Sequence, residues 1–374
     1  MEALQANVSS SRSLDAEIEQ ALANRDLEAA RVLVPKLLAE PSLSADALLH
    51  TGVNLAQHEM FAEAAAVFAR YVKDHPAVFE GYYNLALAEL ALRRYPDALA
   101  TIRKAPKATP DQEVARQYLQ GKIELTLGQK AQAEQDLSAA FTAAPQEENY
   151  ALDLGLAYIR DWKYHSAKAV FDKAAQFQKD RPFNLLGLAL AEYLGGQNAE
   201  AIETCHHALS SHPDFSAVRV LLAFALNMQG NSEEAAQIAA QGLRDPAPFP
   251  YLYYIHAVAL LKQQSTDYGI ILKDLGLAER SIPNCSLCYL AQSKAYQKMG
   301  EAGAATADLE TAVRLDPELA EAWYRLASLY GQEGRQSEAQ EARRRFAALK
   351  ERKANREAET LRDVFVKALG QNKP

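Results

Sequence analysis

The sequence predicts an all-α protein built from about ten helix–turn–helix repeats that stack into a solenoid. Three observations predict it: self-similarity with a period near 34 residues, small residues at fixed positions, and helical spacing of apolar residues. The repeats begin at residues 11, 45, 79, 114, 148, 182, 216, 252, 286 and 320, and they cover residues 11–353.

Position 20 of each repeat gives the clearest evidence for the period. Alanine makes up 70 of the 374 residues, so chance would place about two alanines among ten such positions, whereas nine are found. Ile271 is the exception in the eighth repeat. The alanines are Ala30, Ala64, Ala98, Ala133, Ala167, Ala201, Ala235, Ala305 and Ala339.

Two further positions predict where helices approach and where they end. Position 8 is Gly, Ala or Ser in nine repeats, and two helices can approach closely only where neither carries a bulky side chain. Position 32 is proline in six repeats, and proline cannot continue a helix. Each repeat is therefore predicted to be a pair of helices whose apolar faces are buried by its neighbours.

The pattern resembles the tetratricopeptide repeat (TPR) family, whose 34-residue signature is W-x2-L-G-x2-Y, then A-x3-F, then P. In the second repeat Gly52, Ala64, Phe68 and Pro76 occupy the matching positions. The resemblance covers about nine-tenths of the chain. It implies a right-handed superhelical solenoid with a concave groove lined by the first helix of each repeat.

Two repeats depart from the signature. In the first, Ile18 fills the small position and Pro35 is expected to interrupt the second helix, so this repeat is interpreted as an N-terminal cap. The eighth, with Ile271 and a Pro-rich insertion before it, is interpreted as a kink or boundary. The predicted divisions are a flexible N-terminus at 1–10, repeats at 11–249, repeats at 250–353 and a C-terminal helix at 354–374.

The C-terminal segment carries an amphipathic stripe at helical spacing: Leu361, Val364, Phe365, Ala368 and Leu369. Terminal repeats of a solenoid need an element that covers the last exposed face. We predict a capping helix here, with an intermolecular contact through the same stripe as the alternative.

Composition limits the classes of partner. The net charge of −8 and pI of about 5.6 argue against non-specific binding to nucleic acid or anionic membranes. A basic run over 343–356 is interleaved with glutamates, which favours a solvated helix face. No apolar stretch is long enough to span a membrane, and the N-terminus lacks secretory-signal features. We predict a cytoplasmic protein, or a periplasmic or extracytoplasmic one if a signal was removed.

The residues that could carry chemistry are few. Cys285 and Cys288 form a lone C-x-x-C, without a second ligand pair for zinc or the βαβ context of a thiol redox site. A structural pair is favoured, and a reversible disulfide stays open. Cys205 at position 24 is expected in the core, and His206 and His207 diverge by about 100° on a helix. Because no catalytic motif is present, the sequence predicts a non-enzyme without metal or cofactor.

The resemblance implies that positions 2, 5, 6, 9, 12 and 13 of each first helix face the groove. A known TPR mode that grips a C-terminal carboxylate needs Lys, Arg and Asn across successive repeats; Asn84 and Arg325 stand isolated in the sequence, so that clamp is not expected. The central groove positions are instead apolar. The candidate partner-binding residues are Tyr83, Leu87, Asn149, Leu152, Asp153, Leu156, Ile159, Arg160, Phe183, Leu186, Leu190, Tyr193, Val220, Phe224, Asn227 and Met228.

These residues suggest two functions. The first is a protein-interaction scaffold whose groove binds an apolar peptide or helix of a protein partner, with Asn149, Asp153, Arg160 and Asn227 setting its register. In the alternative packing interpretation, the apolar positions are buried between neighbouring first helices. The second function is an accessory subunit of a larger assembly, such as an envelope or secretion complex, docking by its convex face or C-terminal helix. The oligomeric state is not predicted.

Overall fold

The computed structural model describes residues 13–41, 43–177, 179–350 and 356–371. These residues form twenty-one α-helices and no strand. The helices are α1 (Leu14–Ala23), α2 (Leu27–Ala39), α3 (Ala45–Gln57), α4 (Phe61–Asp74), α5 (Phe79–Ala91), α6 (Tyr95–Lys104), α7 (Pro110–Thr126), α8 (Lys130–Ala143), α9 (Glu148–Arg160), α10 (Tyr164–Ala175), α11 (Pro182–Leu194), α12 (Asn198–Ser211), α13 (Ser216–Met228), α14 (Ser232–Gly242), α15 (Tyr251–Lys262), α16 (Tyr268–Ser281), α17 (Ser286–Met299), α18 (Ala302–Leu315), α19 (Ala320–Gln332), α20 (Gln336–Lys350) and α21 (Arg356–Gln371).

The helices pair as the repeat pattern predicts, from α1/α2 to α19/α20. In seven of the ten repeats the first helix begins at the predicted first residue of the repeat, for example at Ala45, Glu148 and Ala320. The predicted flexible N-terminus at 1–10 lies outside the described residues. Apart from it, the all-α helix–turn–helix architecture is confirmed.

Small residues allow the two helices of a repeat to pack closely. All ten residues at position 20, Ile271 included, are fully buried. Position 8 faces position 24 of the same repeat: a Cβ added at Gly155 would lie 2.2 Å from Phe171 Cζ, and one at Gly52 would lie 2.5 Å from Phe68 Cε1. The apolar ring therefore occupies the space that a side chain at position 8 would need.

The turn inside nine of the ten repeats uses a left-handed residue at position 15, and in the eighth repeat the left-handed residue is Gln264, at position 13. Five repeats place glycine there, and Gly128 is the first, with φ of 75°. Other repeats hold an L side chain in the same conformation, among them Trp162 with φ of 61°. Because non-glycine residues rarely adopt this region, a bulky aromatic residue at this turn is an unusual feature.

The chain divides into two compact bodies, residues 1–150 and 151–374, which we call the N-terminal and C-terminal bodies. In the N-terminal body one apolar cluster joins α1–α5 and a second joins α5–α7. In the C-terminal body a large cluster extends from α9 to α17, and a smaller one joins α17–α20. The large cluster runs through residue 250 without a break, and the predicted boundary there stays a prediction.

One local expectation is wrong. Pro35 was expected to interrupt the second helix of the first repeat, yet α2 continues from Leu27 to Ala39 with Pro35 inside it. Proline removes a backbone hydrogen bond from a helix. Ala30, Val34 and Leu37 are buried along the same helix, and this apolar face holds α2 together across the missing bond.

The predicted C-terminal helix is present as α21. It packs against α11, the first helix of the sixth repeat. Its buried side chains, Leu361, Phe365, Val366 and Leu369, belong to the large cluster of the C-terminal body. Among the described residues, the cluster of the last two repeats contains none of them. The helix therefore covers the middle of the C-terminal body.

Candidate functional site

The N-terminal body offers a small apolar cleft between its second and third repeats. The cleft has a volume of about 290 Å³. Leu87, a predicted groove residue, lies on it and is 38% exposed. Tyr83 is half-buried and stacks on Phe79 with ring centroids 5.8 Å apart. The lining residues are Val53, Ala56, Gln57, Phe61, Phe68, Asn84, Leu87 and Ala88.

Eight of the ten predicted apolar groove residues of the C-terminal body are buried. None of the eight is more than 6% exposed, and all belong to the cluster that includes the apolar stripe of α21. They are Leu152, Leu156, Ile159, Leu186, Leu190, Tyr193, Val220 and Phe224. In this state of the molecule a partner could not reach them without a rearrangement.

The remaining candidate residues are in varied surroundings. Asn227 is buried, where its Oδ1 accepts a hydrogen bond from Ser232 Oγ at 3.0 Å and its carbonyl accepts one from Lys262 Nζ at 3.0 Å. Met228 beside it is 45% exposed. Asn149 is half-buried, Asp153 is buried, Arg160 is exposed, and Phe183 is half-buried against Phe215.

A larger open cavity lies further along the C-terminal body, among α13, α15, α17 and α19, with a volume of about 750 Å³. Its lining from α17 consists of residues at positions 2, 5, 6, 9, 12 and 13, the positions that the family resemblance assigns to the groove. The lining residues are Asn227, Tyr254, Val258, Leu261, Lys262, Leu287, Leu290, Ala291, Lys294, Gln297, Lys298, Glu318, Leu319, Ala320, Glu321, Arg325 and Leu349. Of these, only Asn227 was among the candidates from the sequence.

The sequence contained the signal for this cavity. Applying the groove positions to the ninth repeat selects Leu287, Leu290, Ala291, Lys294, Gln297 and Lys298, all of which line it. The candidate residues lie in earlier repeats, where the apolar stripe is longer. Arg325, isolated in the sequence, shares this cavity with three lysines.

The cavity combines an apolar wall with an excess of positive charge. Glu321 binds Lys294 Nζ at 2.9 Å and Arg325 Nη2 at 2.9 Å. Burial would raise the pKa of Glu321, but these two cations hold it below its ordinary value. Lys262 and Lys298 are exposed and donate to backbone carbonyls, Lys298 to that of Leu261 at 2.9 Å. Their charges are therefore not neutralised by the ion pairs of Glu321.

Two of the three cysteines are bonded to each other, and the third is buried. Cys285 and Cys288 form a disulfide, and Cys285 Sγ accepts a hydrogen bond from the backbone N–H of Cys288 at the start of α17. Cys205 is a free, fully buried thiol, as predicted for position 24. Within the described part of the chain, no group of three or more His, Cys, Asp or Glu side chains is placed to hold a metal ion. Nor does any described helix have the length and apolarity to cross a membrane.

Comparison with known proteins identifies the class. Tetratricopeptide-repeat family models match residues 52–113, 193–259 and 290–351, about half of the chain. The chain belongs to the TPR family, and the TPR fold typically serves as a scaffold for protein–protein interaction. No curated protein matches it significantly.

Solved structures agree with this class. A TPR protein from Parabacteroides merdae superimposes with a TM-score of 0.50 at 17% identity, covering 67% of this chain and 98% of that one. Human IFIT1 bound to PPP-AAAA has a TM-score of 0.47 at 17% identity, covering 83% and 73%. YrrB, described as a TPR protein with an unusual peptide-binding site, has 0.41 at 15%, covering 53% and 97%. The first shows the shared fold; the last two, with TM-scores below 0.5, say nothing further about this chain.

Proposed function

We propose that this chain is a protein-interaction scaffold that binds a peptide segment of a partner in the 750 Å³ cavity of its C-terminal body. The observation that supports the proposal is the set of α17 residues at groove positions that line an open cavity. Val258 and Leu287 are only partly buried there, so they offer apolar contact to a ligand.

The charges of the cavity favour an acidic segment. Lys262 and Lys298 project from the ends of α15 and α17, and each has donors left after its hydrogen bond to a carbonyl. A ligand carboxylate would add a charge-assisted hydrogen bond to either ammonium group. The preferred ligand is therefore a segment with apolar side chains next to Asp, Glu or a free C-terminus.

The alternative proposal, an accessory subunit docking through the apolar face of its C-terminal helix, has less support. The side chains of that face, Leu361, Phe365 and Leu369, are buried within the same chain. Docking through them would require α21 to leave its place. Docking by the convex face has no specific observation in its favour.

Selection from a random dodecapeptide library displayed on phage tests the proposal. The wild-type chain should enrich apolar peptides that carry an acidic residue or an acidic terminus. The Lys262→Glu/Lys298→Glu variant should lose that enrichment because its cavity repels carboxylates. Both lysines are exposed, so the variant should keep its helical content by circular dichroism.

The matched control is Lys36→Glu/Lys273→Glu, which changes two exposed lysines on α2 and α16 outside the cavity and the net charge by the same amount, and it should enrich the same peptides as the wild type. Enrichment of the same acidic peptides by the folded Lys262→Glu/Lys298→Glu variant would rule out this cavity as their site. Enrichment of basic peptides by the wild type would rule out the proposed chemistry.

A further inference from the structure

We infer that the surface beneath α21 is a second binding site, for an amphipathic helix of a partner protein, and that α21 occupies it as a tethered competitor. This site lies on α11 and is separate from the cavity proposed above. The inference rests on three observations: the buried apolar stripe of α21, the uninterrupted burial of residues 184–193 of α11 beneath it, and a buried arginine nitrogen of α21 that has no hydrogen-bond partner in the described structure.

The stripe that α21 buries has the spacing of a helix lying in a groove. Leu361, Phe365 and Leu369 occur at i, i+4 and i+8, and all three are at most 1% exposed. Lys367, on the opposite side, is exposed. Apolar anchors at such intervals are the pattern by which one helix binds in the groove of another protein.

The receiving surface is the first helix of a repeat, which would otherwise face the groove. Residues 184–193 of α11 are buried without interruption, so every face of this helix is covered. Helix α19 of the last repeat differs: its groove-position residue Tyr324 is 60% exposed. In α11 the corresponding side is covered because α21 packs against it. No such helix covers Tyr324 of α19 in the described structure. The ring of Phe249 also stacks on Phe365, with centroids 6.3 Å apart.

A cationic contact orients the helix at one edge of this surface. The Arg362 guanidinium lies over the ring of Trp162, 4.3 Å from its centroid. Trp162 occupies the left-handed turn position that is glycine in five other repeats, and it is the one aromatic residue in that conformation in the described chain. The aromatic face of Trp162 therefore supplies a contact to α21 that the other residues at this turn position cannot make.

The same arginine makes α21 replaceable. Arg362 Nη1 is buried without a hydrogen-bond partner in the described structure. A buried donor left unpaired costs about 1–3 kcal/mol. A partner helix that repeats the apolar stripe and avoids this cost would compete with α21, even though the tether gives α21 a high effective concentration.

Binding of a labelled peptide with the sequence of residues 356–371 to the full-length chain tests the inference by fluorescence anisotropy. The Leu361→Asp/Phe365→Asp chain should release α21, because two carboxylates cannot be buried in an apolar cluster. We expect it to bind the peptide at least tenfold more tightly than the wild type, whose site is occupied.

Lys367→Asp is the matched control, because it changes the net charge by the same amount on the exposed face; its affinity should equal that of the wild type. A peptide carrying Phe365→Asp should bind every chain at least tenfold more weakly.

Three outcomes would overturn the inference. One is that the wild type and the Leu361→Asp/Phe365→Asp variant bind the peptide with equal affinity. Another is no binding by that variant although its circular dichroism and thermal unfolding show a folded chain. The third is a wild-type dimer in light scattering that the variant cannot form, which would make a second copy the occupant. The Lys262→Glu/Lys298→Glu chain should bind the peptide as the wild type does, so failure of the cavity proposal is distinguishable.

Discussion

At the scale of single residues, close packing between positions 8 and 24 limits which side chains the fold can accept at position 8. The ring of Phe171 lies between two glycines: a Cβ on Gly155 would be 2.2 Å from Cζ, and one on Gly187 would be 2.4 Å from it. Real Cβ atoms do not approach so closely, so the ring must move if either glycine is replaced. The space is limited because Phe171 is itself 1% exposed.

Gly155→Ala should therefore lower the free energy of unfolding by about 1–3 kcal/mol, the usual cost of overpacking a core. Denaturant unfolding followed by circular dichroism measures it. Gly303→Ala is the control, since Gly303 is exposed in α18 and its Cβ would meet nothing within 4 Å. That substitution should stabilise the chain by about 0.5 kcal/mol. Equal effects at both sites would contradict the packing explanation.

Asp308 gives the fold a predictable dependence on pH. Burial, followed by the negative charge of Glu279, raises the pKa of Asp308 to about 6. In the described structure its Oδ2 is buried without a hydrogen-bond partner, which agrees with the direction of the shift. A carboxyl group whose pKa is raised on folding contributes stability below its unfolded pKa, near 4, and loses that contribution as the pH rises to about 6.

Asp308→Asn should remove this loss. We expect the variant to exceed the wild type in free energy of unfolding by on the order of 1–3 kcal/mol at pH 8, and by little at pH 4. Urea unfolding at pH 4, 6 and 8 measures the difference. The exposed Asp214→Asn serves as the control and should follow the wild type at each pH. A pH-independent difference for Asp308→Asn would exclude titration as the cause.

At the scale of elements, the disulfide at the start of α17 gives a defined thiol count. Cys285 is bonded to Cys288, and Cys205 is free and fully buried. Alkylation of the unfolded chain without reductant should modify one cysteine, and alkylation after reduction should modify three, as intact mass will show. The folded chain should not react, because Cys205 is inaccessible and burial raises the pKa of its thiol. Three alkylated cysteines without reductant would mean that the disulfide is absent.

The elements themselves were predictable because their signals are local. A period of 34 residues and alanine at position 20 located seven first helices to the residue. Pro35 shows the limit of such signals: a helix breaker was overridden by the buried face that includes Val34 and Leu37. Proline alone could not reveal this, because the compensating free energy comes from neighbouring helices.

At the scale of the whole molecule, the site was less predictable than the fold. The groove positions were known from the family pattern, yet which repeats leave them open depends on where α21 packs. The stripe from Leu361 to Leu369 predicts a helix that must bury one face, but nothing in the stripe selects α11 as the surface it covers. Long-range choices of this kind are set by shape and packing across distant segments. Most of the groove residues predicted from the sequence are consequently buried in the structure.

The division into two bodies predicts that a core substitution acts mainly on its own body. Phe68 and Phe171 both occupy position 24, and both are 1% exposed, but they lie in apolar clusters of different bodies. Repeat proteins depend mainly on interactions between neighbouring repeats, so local stability can differ along the chain. Phe68→Ala and Phe171→Ala should each cost about 3–5 kcal/mol locally.

Hydrogen exchange measured by mass spectrometry under native conditions shows which helices each of the two substitutions destabilises. Phe68→Ala should accelerate exchange in α3–α5 and leave α10–α11 near the wild-type rate, whereas Phe171→Ala should do the reverse. The two phenylalanines are matched in residue type, repeat position and burial. A difference in the pattern of exchange between the variants is therefore due to the body in which the residue lies. Acceleration of both regions by either substitution would mean that the chain unfolds as one cooperative unit, because a loss in one core would then lower the stability of every helix.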